Sequence, residues 1–305
     1  MNIKFEFNVS YGFTKNDSFM NEKREINALL HLIDDPDEDV FLTVSNRFLR
    51  IGKEAIPELE HFWENASDPF VQDRIETLIH RLHLEDLQQE LRNWKLQGCT
   101  DLLDGLLLVA RYRYPDLNAG PAGRELEKMK RGIWLELNGH LTALEKINVL
   151  THILFQHIHL KGSEVNYARP DEFLIHKVLE SKKGNAISNG LILLLLSRLL
   201  DLNLEALAIP RQFILACFDP ETDNTNKNNI LFFLDGATGQ IYSHRDVEAY
   251  FKRIQLPASP RFFRSLSNRE LVAGLLKEYS KCYYRAEDTD RKEELEALAD
   301  FLMEE

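Results

Sequence analysis

The stretch 187–200 constrains this chain more than any other. It reads ISNGLILLLLSRLL and places apolar side chains at six consecutive positions, Leu191–Leu196. A helix that is apolar around its whole circumference has to be enclosed by the rest of the fold. The run stops at Ser197 and Arg198, far short of the roughly 20 residues that cross a bilayer. It is therefore expected as the central helix of a packed core, entered through Lys182, Lys183 and Gly184, with Asn185, Ala186, Ile187 and Ser188 forming its first turn.

What surrounds this helix divides by pattern. Strands are expected late, at 206–209, 213–218, 230–234 and 240–242, with a polar, anchorless loop at 219–229 that reads as a mobile hairpin connection. The first residues, 1–13, alternate like a short strand and lack the continuous apolar stretch of a signal peptide. From about Glu22 to Trp94 the chain reads as successive amphipathic helices. Two stretches there look alike, 34–52 and 67–83, and each opens on Asp-Pro: Asp35-Pro36 and Asp68-Pro69, which lie 33 residues apart. Aspartate can cap the free amides, and proline loses no hydrogen bond at the first helical position. Both helices carry an arginine, Arg47 or Arg74, on the face expected to lie outward. Residues 55–59 (AIPEL) resemble the second-helix start of a HEAT-type repeat. With two copies only, a HEAT-like pair and unrelated antiparallel helices both stay open.

Further helices are expected at 101–113, ended by Pro115, at 123–137, at 143–157, and from Ser267 onward in two segments broken near 286–290. Residues 115–123 are the best candidate for a connection. Helices, a few antiparallel strands, then helices again make an α+β, mainly helical pattern. It divides into an N-terminal helical region (1–114), a core (115–258) and a C-terminal helical extension (259–305).

Composition excludes several classes of function. The formal net charge of -12 opposes a broad nucleic-acid surface, which needs a positive field. Nine of the acids lie in the last twenty residues against only Arg291 and Lys292, a pattern read as a solvated helix face. Three well-separated cysteines, Cys99, Cys217 and Cys282, imply neither a disulfide framework nor a zinc site, which suits a reducing, cytoplasmic setting. No membrane association, cofactor or metal is expected. A protein or peptide partner is.

The run KKGNAISNGLILLLLSRLLDLNLEALAIPRQFILA at 182–216, followed by Leu234-Asp235-Gly236 and Gly239, resembles the transglutaminase-like (papain-like) core of bacterial SirB-type proteins. Their usual run is of the form RxGxPIxL…LxRxLGLPLxGVxxPGHF. The segment 166–179 resembles what normally precedes that run, 34–57 the family's helical front, and the tail from Pro260 its helical extension. The resemblance implies a buried helix packed on a small antiparallel sheet. In active transglutaminases a thiol sits at the helix start, where the dipole lowers its pKa, and strands bring up histidine and aspartate.

Carried over, the nucleophile position is Ala186, the histidine position is Gln212 (with Arg211 in place of glycine), and Asp235 matches the carboxylate. Proline is common at the nucleophile position in this subfamily, so loss of the thiol is a family habit; loss of the histidine belongs to this chain. Alanine cannot attack a carbonyl, and glutamine cannot accept a proton near neutrality. Asp-Gly is also a common hairpin turn, which gives Asp235 a purely structural alternative.

Other chemistry-bearing residues have structural readings beside the functional ones. Ser188 is the nearest hydroxyl to the old nucleophile position, or a residue of the helix cap. Cys217 is a reactive thiol or a buried strand residue. His152, His157 and His159 form HILFQHIH, which has no metal-ligand spacing on one helix face. Tyr242–Asp246 reads as a strand end and capping box with Ser243 as the cap. Trp63, Trp94 and Trp134 are expected in helix seams.

The expectation is a non-catalytic, regulatory transglutaminase-like module with Asn185, Ser188, Arg211, Gln212 and Asp235 as candidate ligand-binding residues. The alternatives are a residual cysteine or serine hydrolase or acyl transferase using Ser188 or Cys217, and a helical adaptor binding a protein through its N-terminal helices.

Overall fold

The structure is a computed structural model and describes residues 24–219, 229–285 and 288–304. The expected strand at 1–13 and nearly all of the loop at 219–229 lie outside them. The chain divides into two compact units, Met1–Leu87 and Gln88–Glu305.

In the first unit, helical residues 24–30 precede α1 (Glu38–Ile51), α2 (Ile56–Asn65) and the beginning of α3 (Pro69–Leu96), which continues into the second unit. Their apolar stripes meet in a core that includes Ile33, Phe48, Leu59, Ile75 and Leu78. The Asp-Pro expectation holds for one helix and shifts in the other. Asp68 accepts from the Phe70 N–H at 2.9 Å, and Pro69 opens α3. In α1 the cap is Asp37, which accepts from the Asp39 N–H. Asp35 instead accepts from the Asp37 N–H at 2.9 Å, so Pro36 lies ahead of the helix in an Asx turn.

Arg74 also departs from expectation. It is only 4% exposed, not on an outer face. Its guanidinium lies 4.3 Å from the centroids of both the Phe41 and Phe70 rings. It donates to the Ile33 and Asp35 carbonyls at 2.8 and 2.6 Å and pairs with Glu38 at 2.6 Å. A buried guanidinium is tolerable when it is hydrogen-bonded and its flat faces are stacked, and Arg74 has both kinds of partner. Arg47 is exposed as expected and pairs with Glu25.

The second unit opens with the end of α3, then α4 (Leu102–Arg111), capped by Asp101, α5 (Gly120–Trp134) and α6 (Ala143–His152), which starts on a Thr142/Glu145 capping box. The last stretch of the helix expected at 143–157 is a separate π-helical turn, Ile153–His157. Two short strands, β1 (Lys161–Ser163) and β2 (Lys183–Asn185), pair in parallel on either side of α7 (Ile175–Ser181). Neither strand has an apolar side chain to announce it.

The central helix is α8 (Ala186–Leu199), and every residue from Ile187 to Ser197 is buried. Seven of these are Leu or Ile, each contributing about 1.5–3 kcal/mol of apolar burial. The helix packs on β3 (Leu204–Ala206) and β4 (Ile214–Phe218). With β5 (Ile230–Asp235) and β6 (Ile241–Tyr242) these form an antiparallel sheet in the order β3-β4-β5-β6. The first strand lies slightly earlier than the expected 206–209; beyond it Leu207 bridges to Ser265 and donates to the Ile214 carbonyl at 3.0 Å.

All of β4 is buried, as in a strand covered on both faces. One face carries Ile214, Ala216 and Phe218 against Val247 and Phe251 of α9 (His244–Arg253) and against Phe263. The Ser243/Asp246 capping box that starts α9 is present as read. Finally α10 (Asn268–Ser280) packs against α11 (Thr289–Met303), which buries Leu295, Leu298, Ala299 and Leu302.

The tryptophans divide. Trp94 is 5% exposed and donates to the Asp101 carbonyl, but Trp63 is 37% and Trp134 is 65% exposed, so neither fills a seam. Among the described residues no helix is long and apolar enough to cross a membrane.

Candidate functional site

The start of α8 is held by its own polar groups. The Asn185 Oδ1 accepts from the Ile187 and Ser188 N–H groups at 2.9 and 3.1 Å. The Ser188 hydroxyl accepts from the Asn185 N–H at 3.0 Å and donates to the Glu172 carbonyl at 2.6 Å. Both side chains are fully buried. The Ser188 proton is therefore committed to a main-chain oxygen, whereas a nucleophilic hydroxyl needs a base in that place. One turn on, buried Asn189 donates to the carbonyls of Lys161 and Ala237 at 3.3 and 3.1 Å, tying α8 to β1 and to the turn after β5. The Asn185 Nδ2 and the Asn189 Oδ1 are buried without a hydrogen-bond partner among the described residues.

Around this helix start the main chain of Ala186 meets Phe213 and Gly236, the residues that follow the other two positions implied by the resemblance. Ala186 is the first residue of α8 and is half-buried. A Cβ added to Gly236, the residue after Asp235, would collide with the Ala186 carbonyl and lie 3.0 Å from the Phe213 carbonyl. The Gly236 N–H donates to that same Phe213 oxygen at 3.3 Å. A Cβ at Gly190 would strike the Phe213 ring, so the ring of the residue after Gln212 covers the helix one turn beyond Ala186.

The side chains do not follow the backbones. The Asp235 carboxylate accepts from the Thr238 N–H at 3.0 Å and from the Thr238 hydroxyl at 2.7 Å. It closes the β5–β6 hairpin, where Gly239 takes the left-handed conformation (φ 71°) that the turn requires. Arg211 and Gln212 are exposed, and Arg211 also lies in the left-handed region (φ 61°). The Tyr250 hydroxyl anchors this loop by donating to the Pro210 carbonyl at 2.6 Å. Gln212 lines a pocket of about 310 Å³ with Ile209, Tyr242, Tyr250 and Arg253; neither Ala186 nor Asp235 lines it.

The remaining candidates separate in the same way. Cys217 is 2% exposed on β4, and burial pushes its thiol up to about 11. His152 and His157 are exposed, with ring centroids 5.0 Å apart across the π turn. No group of three or more His, Cys, Asp or Glu among the described residues is placed to hold a metal.

Beside these histidines lies an open groove of about 1130 Å³ that sequence reasoning missed, with Asn148, His152, Phe155, Thr238 and Gln240 among its walls. It joins the π turn to residues 238–240 of the Asp235 hairpin. The one hint in the sequence was the HILFQHIH run, which says nothing of residues 238–240.

A model of the transglutaminase-like superfamily matches residues 121–277, just over half of the chain, from α5 through most of α10. The chain belongs to that superfamily. Its curated relatives bear out the SirB-type resemblance at modest identity. It is 25% identical over 178 residues to SirB1 of Salmonella typhimurium, covering 57% of this chain and 64% of that protein. It is 24% identical over 178 residues to the UPF0162 protein YchA of Escherichia coli, with the same coverages. It is 27% identical over 199 residues to a UPF0162 protein of Pseudomonas aeruginosa, covering 60% of this chain and 63% of the relative. The chain thus spans somewhat under two thirds of the length of the curated relatives it matches. No solved structure matches it.

Proposed function

We propose that this transglutaminase-like chain is a non-catalytic binding or regulatory module that takes a peptide segment or small polar ligand beside the old histidine position. One observation carries the reading: the backbone junction of the family's site persists, while Ala186, Gln212 and the Thr238-bound Asp235 hold no nucleophile, no base and no free carboxylate. Asn185 and Ser188, fully buried, keep the helix start in place, and the binding surface falls to exposed Arg211 and Gln212 with the pocket of Tyr242, Tyr250 and Arg253. The Gln212 amide can both donate and accept there, which suits a peptide group.

The test is NMR titration of the full chain with short capped peptides. Perturbations centred on Gln212, Tyr242 and Arg253 that vanish in an Arg211→Ala/Gln212→Ala variant support the reading. Binding that survives the double substitution counts against this site. The hydrolase alternative finds little support in Ser188 and Cys217, since both are buried.

A helical adaptor remains a second reading, and it includes the HEAT-like character of the N-terminal helices within the three-part division 1–114, 115–258 and 259–305. Large exposed apolar side chains in the first unit favour it: Leu42 and Phe70 are each 50% exposed. A partner retained by a variant with Leu42 and Phe70 both changed to Ser would remove that reading. A cytoplasmic setting is part of the proposal.

A further inference from the structure

We propose that the groove walled by residues 95–100, 198–205 and 265–269 is an anion site for a small molecule carrying a phosphate or carboxylate group. The groove has a volume of about 900 Å³, within the roughly 300–1,000 Å³ range of small-ligand sites, and lies wholly in the second unit. Its walls hold three cations, Lys95, Arg198 and Arg269, and one carboxylate, Glu205, although the chain as a whole has a net charge of -12. Local charge of the opposite sign to the whole needs a reason.

Each charge can be accounted for except one. The Lys95 ammonium donates to the Phe301 and Glu304 carbonyls, both at 2.8 Å, and so caps the C-terminal end of α11. Arg198 donates to the Asn268 Oδ1 at 2.6 Å and pairs with Glu205 at 3.0 Å, so the only carboxylate in the wall is engaged. Asn268 in turn donates to the Cys99 and Thr100 carbonyls at 2.8 and 3.0 Å, fixing the loop that forms the opposite wall. Arg269 is half-buried and makes no ion pair or hydrogen bond among the described residues.

A partly desolvated guanidinium without a counter-ion is costly, and Arg presents a planar fork that matches an oxyanion with two parallel hydrogen bonds. Lys95 and Arg269 act on the same spot: both fields act to lower the Cys99 thiol, against the larger upward push of burial. The exposed Thr100 adds a hydroxyl at the rim. Arg74 shows the contrast. That guanidinium is also withdrawn from water, but stacked and hydrogen-bonded by its own chain.

Isothermal titration of the full chain with inorganic phosphate and, separately, with citrate tests the site and distinguishes the two oxyanion sources, against sodium chloride at matched ionic strength. At least one of the two is expected to bind saturably with a dissociation constant below about 1 mM. Arg269→Gln should weaken it at least tenfold, and Arg245→Gln, an exposed arginine outside the groove, should leave it unchanged. If Arg269→Gln fails to fold, Thr100→Asp places a negative charge at the rim and should weaken binding likewise. Absence of saturable binding by both anions, or undiminished binding in Arg269→Gln or in Thr100→Asp, overturns the proposal.

Discussion

The start of α8 and the loop 210–213, which the SirB-type resemblance assigns to one site, contrast in how they use their polar side chains. At the helix start the polar side chains point inward: Asn185, Ser188 and Asn189 are fully buried, and most of their hydrogen-bonding groups are matched to main-chain partners. In the loop they point outward: Arg211 and Gln212 are exposed beside a small pocket. Only the backbone contact among Ala186, Phe213 and Gly236 still joins them. The difference teaches that a catalytic framework has two separable parts. The helix start is needed to seat a buried helix whatever sits at Ala186, whereas the exposed side chains of Arg211 and Gln212 are not.

That comparison can be broken by stability measurements, read from urea unfolding with the slope unchanged. The largest effect is expected at the junction. Gly236→Ala drives a methyl into two main-chain carbonyls that cannot step aside and should cost about 3 kcal/mol. A loss below about 1 kcal/mol would mean that the junction is loose. Next comes Asn185→Ala, which removes the acceptor of two N–H groups at a buried helix start; about 1–2 kcal/mol is expected. Asp235→Ala should cost about 1 kcal/mol through the lost bonds to Thr238, whereas a gain in stability would point to a carboxylate held for function. The smallest change belongs to Gln212→Ala, within about 0.5 kcal/mol, since its side chain is exposed. A cost at Gln212 equal to that at Asn185 would erase the contrast altogether.

Much of the frame was legible because it rests on local signals. The buried helix announced itself through unbroken apolar residues, and the cap at Ser243 through residue type and spacing. Features made by distant backbone or distant charge were not legible. The β1–β2 pair consists of KGS against KGN, so its parallel register comes from main-chain bonds that leave no apolar pattern. Arg74 reads as a surface cation by periodicity, because its stacking and its carbonyl partners come from residues 33–41 and Phe70. Trp134 ends α5 in the open where a helix seam was expected.

The same limit applied to the candidate site. The identities at 186, 212 and 235 were read from the sequence, yet whether Asn185 faces a ligand or the interior is decided by Glu172 and by β1, which no spacing rule connects to it. The cation-lined groove draws on three segments at least sixty residues apart in the chain.

The most direct test of the claim that this site has lost its chemistry is mass-spectrometric mapping of folded protein treated with serine- and thiol-directed acylating probes. At neutral pH no labelling of Ser188 or Cys217 is expected. The Ser188 proton is held by the Glu172 carbonyl. With its thiol pushed up to about 11, Cys217 is thiolate in only roughly one molecule in 10,000, and it should label only as the pH approaches that value or after unfolding. Stoichiometric labelling of either residue in the folded protein near neutral pH would contradict the account and favour the hydrolase alternative.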